Sequence, residues 1–161
     1  GRGRFEVVKS PKQRGWIEPL ALVLHFCNTD EDRNKWVVYD CVMNIAEGQI
    51  VEQKSFKANT YKMLLAGFQW RSLEKGHSLK LIFKFYMEGN LVYTSVQDAV
   101  TNEPDSKDIF QQDFEVSSSM RLEGPNGVTS PFPAGRYEVE LYLKTEELDE
   151  HFVMRRTLDV R

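Results

Sequence analysis

Ser78-Leu79-Lys80-Leu81-Ile82-Phe83-Lys84-Phe85-Tyr86-Met87 is the stretch that decides the fold. Leu79, Leu81, Phe83, Phe85 and Met87 alternate with Ser78, Lys80, Ile82, Lys84 and Tyr86. Successive side chains of a strand point to opposite faces, so this period of two describes a half-buried strand with one apolar face. Ile82 and Tyr86 then fall on the outer face, beside the lysines. The Glu88-Gly89-Asn90 that follows is a turn signal and predicts a hairpin from 78–87 to a second strand over 91–97.

The same alternation recurs along the chain. Tyr137, Val139, Leu141 and Leu143 alternate with Glu138, Glu140, Tyr142 and Lys144. Leu20, Leu22, Leu24 and Phe26 form another stripe, and Trp36, Val38 and Val42 share a face that Asp40 breaks. Phe114, Val116, Met120 and Leu122 form one with Ser118 between them, and Phe152, Met154, Leu158 and Val160 form a last one that Arg156 interrupts. Polar or Gly-rich turns separate these runs, at 30–34, 47–48, 124–127 and 146–150. Short strands at near-regular spacing predict an all-β protein, a sandwich or a barrel.

Residues 59–75 resist this pattern. Tyr61, Leu64, Leu65 and Phe68 fall at helical spacing, with Asn59 or Thr60 as a cap and Lys75-Gly76 as a stop. Gly67 inside the run costs a helix about 1 kcal/mol relative to Ala. A short helix and an irregular strand remain equal readings there. Residues 98–108 are polar, hold a proline and read as a long loop of the kind that carries function.

At 161 residues and a net charge of −3, the chain suits one domain with its own core. Residues 1–4 read as a loose tail and 5–161 as a single domain. The acidic balance argues against a nucleic-acid coat protein, and no apolar run approaches the roughly 18 residues of a membrane span. The opening Gly1-Arg2-Gly3-Arg4 has no Met, which reads as a processed product or a piece of a longer protein. Cys27 and Cys41 belong to no CxxC pair; they read as small buried hydrophobes, with a disulfide as the alternative. The lack of an Asn-x-Ser/Thr sequon leans towards the cytoplasm.

Pro133-Ala134-Gly135-Arg136-Tyr137-Glu138-Val139-Glu140-Leu141 resembles the start of strand F in immunoglobulin-like domains. The resemblance gives Tyr137 the part of the tyrosine corner, its hydroxyl bonding back to upstream backbone. Cys27 followed by Trp36 resembles the strand B cysteine and strand C tryptophan of that fold. Val139 stands where an antibody domain has its second Cys, so the antibody-type disulfide between the sheets is not expected. The resemblance implies an antiparallel immunoglobulin-like β-sandwich, and a fold that hosts many functions.

Chemistry is sparse. His25, His77 and His151 lack metal-ligand spacing. Asp30, Asp32 and Asn34 match the first positions of a calcium loop, but Lys35 stands where its Gly belongs and Cys41 where its Glu belongs. A calcium site built from separate loops would draw on Asp98, Asp105 and Asp108. Ser117-Ser118-Ser119 lacks the glycines of a nucleophile elbow, a Cys–His pair with His25 lacks an activating cation, and no phosphate loop is present. Arg155-Arg156 with Arg161, and Arg2 with Arg4, read as edge protection. The expectation is a non-enzymatic binding module with no cofactor and no metal. It takes a protein partner through end loops or an edge strand, with Tyr39, Tyr86 and Tyr142 as surface aromatics and Asp30, Asp32, Asp105 and Asp108 in the loops. The rivals are a carrier of a lipid or other apolar ligand between the sheets and a structural subunit of an assembly.

Overall fold

A computed structural model describes residues 14–30, 37–42, 44–46, 49–51, 55–101 and 113–161; for 29–30, 37–42, 44–46, 49–51, 55 and 113–116 it describes the backbone alone. The elements are β1 (Ile17–Asp30), β2 (Val37–Val42), β3 (Asn44–Ala46), β4 (Gln49–Val51), β5 (Ser55–Phe56), β6 (Met63–Ser72), β7 (Ser78–Met87), β8 (Asn90–Val100), β9 (Asp113–Met120), β10 (Leu122–Glu123), β11 (Thr129–Ser130), β12 (Gly135–Lys144) and β13 (His151–Val160). One sheet has the order β2-β1-β6-β9 and the other β5-β13-β12-β7-β8, with β3-β4 and β10-β11 as short ribbons. All pairings are antiparallel except β5 with β13.

The two main sheets share one core. Leu22, Leu24 and Phe26 of β1 and Leu64, Ala66, Phe68 and Trp70 of β6 meet Leu79, Leu81, Phe83 and Phe85 of β7 and Tyr137, Val139, Leu141 and Leu143 of β12. The expected inner faces of β7 and β12 are therefore those observed. Phe26 anchors one end, its ring 4.7 Å from Phe56, 5.3 Å from Phe132 and 5.9 Å from Tyr137. Tyr137 is 1% exposed, and its hydroxyl donates to the Pro133 carbonyl at 2.7 Å, the contact expected of a tyrosine corner.

Several expectations need correction. Of the two readings left open for 59–75, the strand is the one observed, over residues 63–72, and the helix drops out. β6 pairs with β1 on one side and β9 on the other, and a central strand gains more from two ladders than an isolated short helix gains from local spacing. Its true period is Leu64, Ala66, Phe68, Trp70; the helical spacing arose because Leu65, on the other face, is also apolar. Leu20 drops out of the β1 stripe because the register shifts between Pro19 and Ala21, and Ile17 is buried in its stead. Phe152 is 49% exposed: a bulge between Leu141 and Tyr142 sets it opposite Tyr142, on the outer face. Asp98–Val100, expected in a loop, end β8.

Cys27 is buried and disulfide-bonded, not a free thiol. The β1–β2 register skips between Phe26–Val42 and Asn28–Tyr39, and the chain's other cysteine, Cys41, lies in that part of β2. β1 and β2 share one sheet. The chain crosses between the two large sheets from β6 to β7 and from β8 to β9. Trp36 and residues 1–4 lie outside the described residues.

Candidate interaction face

The outer face of the five-stranded sheet is ordered by its register into rows. Val96, Ile82, Tyr142 and Phe152 stand side by side across β8, β7, β12 and β13. The next row is Thr94, Lys84, Glu140 and Arg155, and the one beyond it Leu91, Tyr86, Glu138 and Thr157. An apolar row thus flanks a charged one. Ile82 points outward as expected, yet is 7% exposed, because it sits between Val96 and Tyr142.

Glu140 is the centre of the charged row and is itself 7% exposed. Arg155 donates to its Oε2 from Nη2 at 2.7 Å and from Nε at 3.2 Å, and reaches Glu138 Oε1 at 2.7 Å. The Tyr142 hydroxyl donates to Glu140 Oε1 at 3.2 Å, and the Tyr86 hydroxyl donates to the same carboxylate. Burial pushes the Glu140 carboxyl up, but the hydrogen bonds from Arg155, Tyr86 and Tyr142 outweigh it and hold the group below its usual value. That hydrogen bond to Glu140, with burial, pushes the Tyr86 phenol up to about 12; burial, then Glu140, raises Tyr142. A carboxylate so fully occupied and so firmly ionised is a poor general acid at neutral pH. Its role is to fix the two rings.

The rim continues the network. Lys84 Nζ lies 2.7 Å from Glu150 Oε1 and 4.1 Å from the centre of the Tyr142 ring. The Arg155 guanidinium lies 5.3 Å from the Phe152 ring, which meets Tyr142 edge-on at 5.8 Å. Towards β8 the face turns apolar and open: Leu91, Val92, Val96 and Val100 are all exposed.

The structure therefore brings Tyr86 and Tyr142 together on one carboxylate, but half-buried rather than free at the surface. Tyr39 is on β2, opposite Asn28 at the edge of the other sheet, so it is not part of this face; its side chain is not described. Asp30 ends β1, while Asp32, Asp105 and Asp108 lie outside the described residues. Asp98 is held by Lys80 at 2.7 Å. Among the described residues no group of three His, Cys, Asp or Glu sits ready for a metal ion. His77 instead stacks on Trp16 at 3.9 Å. Sequence reasoning treated Arg155 as edge protection and missed its central place. Glu140 facing Arg155 across two strands requires the β12–β13 register, which no local pattern supplies. No family model matches the chain, and no curated protein matches it.

Proposed function

We propose that the chain is a non-catalytic, immunoglobulin-like binding module that recognises another protein through the outer face of its five-stranded sheet. One observation carries the reading: the row Val96–Ile82–Tyr142–Phe152, open at both ends, is backed by a network that fixes its central ring. Phe152 is 49% and Val96 53% exposed. Aromatic anchors held rigid beside an Arg, with a charged rim, are the composition of protein-recognition surfaces. The immunoglobulin-like assignment is supported by the Tyr137–Pro133 hydrogen bond and by the β13-β12-β7-β8 order facing β1-β6-β9, which parallels G-F-C-C′ facing A-B-E. The disulfide at Cys27 supports an oxidising compartment rather than the cytoplasm. No helix of the described residues is long and apolar enough to cross a membrane.

A carrier of an apolar ligand between the sheets has less support. The cavity of about 310 Å³ lined by Leu79, Ala99, Val100 and Lys144 lies at a sheet end rather than within the shared core. The test is photo-crosslinking from a reactive residue placed at position 152. Saturable capture of one partner, competed by unlabelled protein but not by the Phe152→Asp variant, is expected. Competition by Phe152→Asp equal to that of the native protein, with its circular dichroism unchanged, overturns the reading.

A further inference from the structure

We infer that β8 pairs with β8 of a second copy of this chain, antiparallel about a twofold axis at Val96. β8 is the end strand of its sheet. β7 takes the N–H and C=O groups of every second residue, and the remainder face away from the sheet. Long, apolar, exposed edges of this kind are templates for another strand unless charge, proline or a covering element blunts them. β8 has no proline, its one bulge, at Val92, lies near the turn end of the strand, and its one charged residue, Asp98, is neutralised by Lys80 at 2.7 Å. Leu91, Val92, Tyr93, Val96 and Val100 are exposed along it.

The occupant follows from the order of residues. Val92-Tyr93-Thr94-Ser95-Val96-Gln97-Asp98-Ala99-Val100 reads alike in both directions from Val96: a valine four residues away on each side, with two polar residues between. A twofold partner in antiparallel register sets Val96 against Val96, Val92 against Val100, and Thr94 against Asp98. All three valine pairs then stack on one face, where apolar cross-strand pairs stabilise a sheet. A slip by two residues sets Val96 against Thr94 or Asp98 and breaks the set, so the pattern selects one register. A two-fold contact of a patch with itself is the commonest way protein chains associate. The Val96–Ile82–Tyr142–Phe152 row then runs unbroken from one copy into the other.

This goes beyond recognition of a foreign partner, and its test does not depend on one. Sedimentation equilibrium of the whole chain is expected to show a concentration-dependent dimer. Val96→Lys, which sets like charges against each other on the axis, is expected to weaken it about ten-fold or more. Val128→Lys, at a site 61% exposed near the β10–β11 turn, is expected to leave it unchanged. Val96→Cys is expected to cross-link across the axis on mild oxidation. A purely monomeric native chain, or a dimer that Val96→Lys leaves intact while circular dichroism matches the native protein, overturns the inference. So does a dimer weakened equally by both lysine variants.

Discussion

At the scale of single residues, Glu140 joins Arg155, Tyr86 and Tyr142 on one carboxylate, and its consequences depend on pH. Its carboxyl is held below the ordinary value of 4.5, so it binds protons more weakly in the folded chain than in the unfolded one. That contribution to stability is complete above 4.5 and is lost as pH falls through the folded value. Tyr86 works at the other end. Its phenol is raised from 10.0 to about 12, so its contribution is complete below 10.0 and is lost as pH rises towards 12. Glu140→Gln is expected to flatten the acid limb of a urea-melt series and to bring one tyrosine of a near-ultraviolet titration down towards 10.0. An unchanged acid limb would mean that Arg155 is satisfied by Glu138 alone. None of this was legible from sequence beyond the outward parity of Tyr86 and Tyr142. Alternation says which way a side chain points, and it is silent on which strand lies next to it.

At the scale of elements, the β7–β8 hairpin was legible because both of its signals are local: the period of two, and Glu88-Gly89-Asn90. Both central residues of its turn have positive φ, 49° at Glu88 and 78° at Gly89, the geometry that matches strand twist. Gly89 adopts it without a Cβ penalty; Glu88 does not. Glu88 is compensated by reach: its Oε1 accepts the Arg136 N–H at 2.6 Å, and its own N–H donates to the Arg136 carbonyl at 2.9 Å. The turn is thereby bonded to the start of β12. Glu88→Ala is expected to cost about 1 kcal/mol, and Glu88→Gln, which keeps an acceptor, appreciably less; denaturant midpoints compare the two. The β6 strand was legible only as one of two equal readings. Its evidence is two neighbouring strands far away in sequence, whereas Tyr61, Leu64, Leu65 and Phe68 mimic a helix locally.

At the scale of the whole molecule, the sandwich followed from counting alternating runs, but the assignment of strands to sheets did not. Pairing β1 with β2 in one sheet, and crossing from β6 to β7, are decisions of topology that no single run contains. The disulfide stood only as the alternative reading for the same reason: two cysteines without a motif become partners only once a bulge sets one strand against the other. Cys27→Ser is expected to lower stability by about 2–4 kcal/mol, read as a fall in denaturant midpoint matched by reduction of the native protein. A midpoint that reduction leaves in place would show that the cross-link adds nothing to the folded chain. The parallel union of β5 with β13 has a consequence for time. The Arg161 N–H meets the Phe56 carbonyl at 2.7 Å, and the Arg161 carbonyl receives the Ala58 N–H at 2.8 Å. This seam joins stretches with most of the sandwich threaded between them. Contacts so distant along a chain slow folding more than they weaken the finished state. Refolding should therefore be slow for a chain of this length, with the protection of the Ala58 and Arg161 amides against hydrogen exchange arriving last.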